Sequence, residues 1–251
     1  MKNKFNLKKH ITATNIFMAI LILVYILDCY LPFPDGYSGY NYWDENNSPA
    51  FNYIMGSCGG LLKNYMAMGA FLQPQGIYRN FTCMFLHGFL LHLIANLVGL
   101  YFIGNYTEKK FGTPLTCVMF VLIAFAETFI TDPLYAVICP EDAEQIAGNI
   151  SCGASGGIFG LIGMSLAALF FDLKSIKKID KTTLIVSAAY GVLTTYVVSL
   201  GWTTLCHNVS MILGLVSGTA IILPFYLLKK GKFAPENNVP EDVESGGENT
   251  E

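Results

Sequence analysis

The chain has 251 residues, of which 53% are hydrophobic and only 13% charged, with a mean hydropathy of +0.47. Soluble domains are about one quarter charged, so this composition excludes an ordinary water-soluble globule, and equally a disordered chain, a collagen or a coiled coil. A net charge of -3 offers nothing to a nucleic-acid partner, no GxxxxGK phosphate loop occurs, and the seven cysteines are an odd set, with Cys83 and Cys117 in apolar runs, that spells no disulfide framework.

Residues 1–10 form a short basic start with Lys2, Lys4, Lys8 and Lys9. A spanning helix needs about 20 mostly apolar residues, and the first stretch that qualifies is 11–31. It exceeds the apolar core of a signal peptide and reaches Asp28-Cys29-Tyr30 without a small-x-small cleavage site, so it reads as a retained span. An outer segment follows over about 32–80, rich in Tyr and Gly, with a Tyr42-Trp43 pair and an apolar stretch from Phe51 to Leu72 whose aromatics suit the headgroup zone. Five more spans are expected at 81–103, 114–131, 150–171, 182–200 and 207–228. Residues 11–230 are therefore read as one six-helix, all-α membrane domain, and residues 231–251, which lose apolar residues and gain Glu, Asn and Gly, as a disordered tail. No internal repeat of the inverted-transporter kind is present.

Translocated loops avoid Lys and Arg. In the six-span reading all of the 15 basic residues except Lys63 and Arg79 fall on one side, so both termini are expected in the cytoplasm. Cys58 and Cys139 share the outer side, and nothing else in the sequence supports their pairing.

Polar side chains are costly in hydrocarbon, so those present are the first places to look for function. His92 and Asn96 lie four apart in the second span and share a helix face. Ser155 lies among glycines in the fourth, and His207 at the outer end of the sixth. Spans two, four and six run from outside to inside, which puts the three at comparable depth in the outer half of the bilayer. A serine hydroxyl attacks a carbonyl only with a base beside it, and His207 is the candidate base. The resulting oxyanion needs donors already in place, for which His92, Asn96 and the Ser155 backbone N–H are candidates. The small-xxx-small pairs Gly156/Gly160 and Gly214/Gly218 would let the helix backbones meet. Each feature also has a plainer reading: a packing seam for the glycines, an interhelical hydrogen bond for His92 with Asn96, an interfacial cap for His87, an internal hydrogen bond or proton relay for Glu127. Convergence on one depth and one reaction favours the catalytic reading.

From Tyr78 to Gly218 these residues resemble the rhomboid family of intramembrane serine proteases. Its GxSG motif is similar to Gly153-Ala154-Ser155-Gly156, with further glycines at Gly160 and Gly163. Its HxxxN pair matches His92 and Asn96, its preceding histidine His87, its histidine of the sixth span His207 followed by Gly214, and its Glu with a later Gly matches Glu108 and Gly112. Three positions depart from the pattern. Tyr78-Arg79 stands for a frequent Trp-Arg, and Ser210 for a frequent glycine, expected to loosen packing between the sixth and fourth helices. Phe159 stands for a tyrosine that stacks on the histidine, so a ring is kept without its hydroxyl.

The resemblance implies a rhomboid-like six-helix bundle and a Ser155–His207 dyad without an acid, His92 and Asn96 holding the oxyanion. It implies an acyl-enzyme and cleavage of a single-span protein substrate in or near its transmembrane helix. It further implies entry of the substrate past the fifth helix and an outer cap around Gly201–Cys206, and neither a metal nor an organic cofactor. The rivals are a non-catalytic rhomboid-like protein that binds transmembrane clients, and a transporter or metal site built from His87, His92 and Glu127, for which no HExxH is present. The short basic start, without an Arg/Ser-rich leader, suggests a bacterial plasma membrane.

Overall fold

The computed structural model of the chain describes residues 12–30, 68–69, 77–141, 150–171, 181–194 and 202–231. The expected N-terminal segment 1–10, the outer segment 32–80 apart from Met68–Gly69 and 77–80, Cys58, and the tail beyond Gly231 lie outside the described residues. Helices dominate: α1 Ala13–Tyr30, α2 Ile77–Thr82, α3 Leu90–Phe111, α4 Thr113–Ile138, α5 Ser155–Phe171, α6 Lys181–Val192 and α7 Trp202–Gly231. Two dipeptide strands, β1 Met68–Gly69 and β2 Ile150–Ser151, pair antiparallel, Met68 opposite Ser151.

Three of the helices, α3, α4 and the Thr203–Pro224 part of α7, are long and apolar enough to cross a bilayer. Among the described residues three helices thus qualify as spans by length and composition, where the sequence suggests six; Ala13–Cys29 and Ser155–Phe171 are apolar but shorter. Beside an apolar core, many large apolar side chains are exposed and several polar ones are buried, unlike in a water-soluble protein. Leu23, Val118, Phe170 and Val216 are exposed, while Asn96, Thr107, Glu127, His207 and Ser210 are buried. Such an arrangement satisfies polar groups inside and leaves apolar ones to lipid.

Two boundaries differ from expectation. The second span does not begin at 81: Cys83–Phe85 make a single 3-10 turn, Leu86 and Phe89 are extended, and α3 starts only at Leu90. It then runs on through Lys109 and Lys110 to Phe111, because Gly112, at φ +85, is the first residue able to turn the chain directly into α4. Helix α5 starts at Ser155, not at 150, since residues 150–151 are strand.

Glu108 ties one end of the bundle together. Its carboxylate accepts the backbone N–H groups of Ala13 (3.1 Å) and Thr14 (3.0 Å) and the hydroxyls of Thr14 and Thr113, both at 2.7 Å. The start of α1 is therefore capped from α3, and an anion meets the positive end of a helix.

At the centre, α5 and α7 lie backbone to backbone. A Cβ on Gly214 would stand 1.9 Å from the Gly160 carbonyl oxygen, one on Gly163 2.0 Å from that of Met211, and one on Gly218 2.9 Å from the Met164 Cα. Of the expected pairs, Gly214 and Gly218 do meet α5. Gly160 meets Gly214 with its backbone and opens room for Ile123 of α4 on its Cβ side, and Gly156 faces Glu127 of α4 and Ser210 of α7. Since backbone cannot yield as a side chain can, Gly214→Ala is expected to cost roughly 1–3 kcal/mol as overpacking. Thermal unfolding in detergent would register this as a lowered midpoint; an unchanged midpoint would refute the contact.

Candidate active site

Ser155 is the first residue of α5, reached through a short constrained path. Strand β2 ends at Ser151, and Gly153 takes φ +131, a conformation open to glycine and strained for other residues. Its N–H donates to the Cys83 carbonyl at 3.0 Å, which fastens this path to the turn ahead of α3. The first N–H groups of a helix have no partner within it and carry partial positive charge, so Ser155 stands where backbone donors are on offer.

His207 lies in the second turn of α7 with 4% of its surface exposed. Its ring stacks on Phe159 of α5, centroids 4.2 Å apart and planes within 13°. The ring that the sequence keeps in place of a tyrosine therefore does stack on the histidine. Among the described residues neither ring nitrogen of His207 has a hydrogen-bond partner, so Ser155 and His207 line one cavity without being bonded to each other. Such bonds are often long in the absence of substrate and tighten around it.

His92 and Asn96 occupy the first turns of α3. The His92 ring lies against Gly153: a Cβ there would come within 2.8 Å of both Cε1 and Nε2. His87 packs edge-on to it at 5.0 Å, but from the extended connector and not, as the sequence suggested, from the same helix. Asn96 is buried, with its Nδ2 donating to the His92 carbonyl at 3.1 Å and its Oδ1 accepting from the Tyr190 hydroxyl at 3.1 Å. Ser210 is fully buried, its hydroxyl beside Gly156, where the close approach is kept.

These groups line one cavity of about 480 Å³, walled by Ser155, His207, His92, Asn96, Glu127 and Tyr190. Glu127 accepts the Thr131 hydroxyl at 3.3 Å within the bundle. Among the described residues no three His, Cys, Asp or Glu side chains converge as a metal site, so His87, His92 and Glu127 do not form one. Cys139 is a free thiol, as are Cys83 and Cys206. Tyr190 escapes a reading of the sequence, because a tyrosine in an apolar run looks like packing and nothing sets it apart from Tyr196 in the same stretch 182–200.

A family model described as "Rhomboid domain" matches residues 74–228. The chain is 31% identical over 114 residues to "RHOMBOID-like protein 4" of Arabidopsis thaliana, covering 45% of this chain and 26% of that protein. It is 30% identical over 107 residues to "RHOMBOID-like protein 7" (43% and 31%), and 36% identical over 100 residues to "Inactive RHOMBOID-like protein 8" (40% and 25%), both also of Arabidopsis thaliana. The chain thus spans between about a quarter and a third of the length of these relatives.

Gly153→Ala is expected to push the His92 ring away and to strain the backbone. In the variant the His92 ring resonances should shift and the unfolding midpoint fall; unmoved His92 resonances would rule out the contact.

Proposed function

The chain belongs to the rhomboid family, whose domain covers more than half of its length, and from that premise we propose that it is an intramembrane serine endopeptidase. The observation that carries this reading is the common cavity of Ser155, His207, His92 and Asn96. That cavity brings a candidate nucleophile, a candidate base and candidate oxyanion donors together from separate helices.

In the proposed reaction a neutral His207 takes the proton of Ser155 as Oγ forms a bond to the scissile carbonyl carbon. The oxygen that gains the charge is held by His92, Asn96 and the Ser155 N–H. The intermediate collapses, the peptide C–N bond breaks, and His207 returns the proton to the leaving amine. Water, deprotonated by the same imidazole, then releases the acyl group and regenerates Ser155. Phe159 fixes the plane of the imidazole by stacking, a task that a carboxylate performs in acid-containing triads. No cofactor enters these steps.

The substrates proposed are single-span membrane proteins, since the cavity opens among helices whose outer faces are apolar. Both termini are proposed to face the cytoplasm, on the distribution of lysines. The relatives named above are plant proteins and lend no support to a bacterial plasma membrane. The second reading, a non-catalytic rhomboid-like protein that binds transmembrane clients, draws on the similarity to a relative named inactive.

Labelling of the solubilised protein with a serine-reactive fluorophosphonate separates the two readings. Wild type is expected to label and Ser155→Ala and His207→Ala not to; a folded wild type that stays unlabelled would favour the binding protein. For orientation, a reporter fused after Glu251 should be shielded from protease added to intact cells, and a tag inserted between residues 45 and 50 should be cut. The opposite pattern would invert the topology.

A further inference from the structure

We propose that Tyr190 is a positioning residue that aims the Asn96 amide at the oxyanion; this rests on the protease reading above and deepens it. A backbone carbonyl can only accept, so the bond from Asn96 to the His92 carbonyl requires the NH2 side of the amide to face its own helix. The oxygen side is then turned toward α6, where the Tyr190 hydroxyl donates to it at 3.1 Å. With both ends engaged the amide cannot flip, and its second N–H is left for the cavity that Ser155 also lines. A hydrogen bond received at the amide oxygen also polarises the amide and strengthens what its N–H groups donate.

The Tyr190 ring is as closely held as its hydroxyl. It lies where a Cβ on Gly99 would come within 2.8 Å, so only glycine at that point of α3 admits it. On the other side it meets Phe159 at 5.7 Å between centroids, the ring that stacks on His207 at 4.2 Å. A single side chain from α6 therefore touches the support of the candidate base and the candidate oxyanion donor. The tyrosine is buried with 7% of its surface exposed, and its hydroxyl makes the one bond that ties it to a group on the reaction path.

Tyr190→Phe keeps the ring against Gly99 and Phe159 and removes only the hydroxyl. The test reads fluorophosphonate labelling in detergent as its maximal rate and its half-saturating probe concentration. In that reaction Ser155 Oγ bonds to phosphorus, fluoride leaves, His207 takes the proton, and the phosphoryl oxygen needs the same donors as a peptide oxyanion. Asn96→Ala is expected to slow the maximal rate by roughly 10²–10³. Tyr190→Phe should slow it roughly 3- to 10-fold, the size of one neutral hydrogen bond, with the half-saturating concentration and the unfolding midpoint little changed. The double variant should be no slower than Asn96→Ala alone, because the hydroxyl acts only through that amide.

An unchanged maximal rate in Tyr190→Phe, or two effects that multiply, would overturn the inference while leaving the protease reading intact. A wild type that does not label overturns both, and the wild-type control alone tells the two failures apart. A fall in unfolding midpoint matched by an equal loss of rate in the Asn96→Ala background would assign Tyr190 to packing and overturn the inference as well.

Discussion

The contact of α5 with α7 through bare backbone is the constraint on which the site depends. Lipid supplies no hydrophobic drive for two apolar helices to meet, so close packing across small residues has to hold them. Gly160 meets Gly214, Gly163 lies between Met211 and Leu215, and Gly218 meets Met164. These pairs run in the same direction along both helices, which are therefore parallel. Carried back toward their starts, the same register brings Ser155 level with His207 to within about one turn. Short side chains then suffice to bring the candidate nucleophile and the candidate base to one cavity, and a larger residue at the seam would part them however well each helix formed alone.

The two ends of the bundle are held by different chemistry. At the Glu108 end a carboxylate of α3 gathers two backbone N–H groups and two hydroxyls from α1 and α4, a charge-assisted anchor away from the cavity. Around Ser155 the scaffold is aromatic and amide instead: Phe159 under His207, Tyr190 on Asn96, His87 beside His92. Stacking and hydrogen bonds orient these rings and the amide. Glu127 is the carboxyl on the cavity wall, and its hydrogen bond to Thr131 turns part of it back into α4.

The site was legible in the sequence to the extent that polar residues are conspicuous in apolar runs. Ser155, His207, His92 and Asn96 stand out because a bilayer makes each of them costly, and the direction of the spans brings them to one depth. Helix boundaries were less legible, because hydropathy follows composition and not backbone geometry. The run from 81 is apolar throughout, yet extended Leu86 and Phe89 break it, so His87 approaches His92 from a connector. The glycine seam was half legible: spacing identified Gly214 and Gly218, but which face of α5 each glycine serves depends on Phe120 and Ile123 of α4, which fill the spaces at Gly157 and Gly160. Tyr190 was not legible at all, since its role depends on a partner 94 positions away in the chain.

Gly153 explains why the motif around the serine is so poor in side chains. Three requirements meet at that residue: the chain must turn from β2 into α5 at φ +131, its N–H must reach the Cys83 carbonyl at 3.0 Å, and its open face must receive the His92 ring. Glycine meets the first by backbone freedom and the third by having no Cβ. Three residues on, a Cβ on Gly156 would come into contact with Glu127 at 3.4 Å and with the Ser210 hydroxyl at 3.5 Å, so the first turn of α5 has close neighbours from α4 and α7. The serine hydroxyl is thus the reactive group left on a stretch of chain stripped to backbone. That bareness is what lets candidate donors from α3 and a candidate base from α7 approach it together.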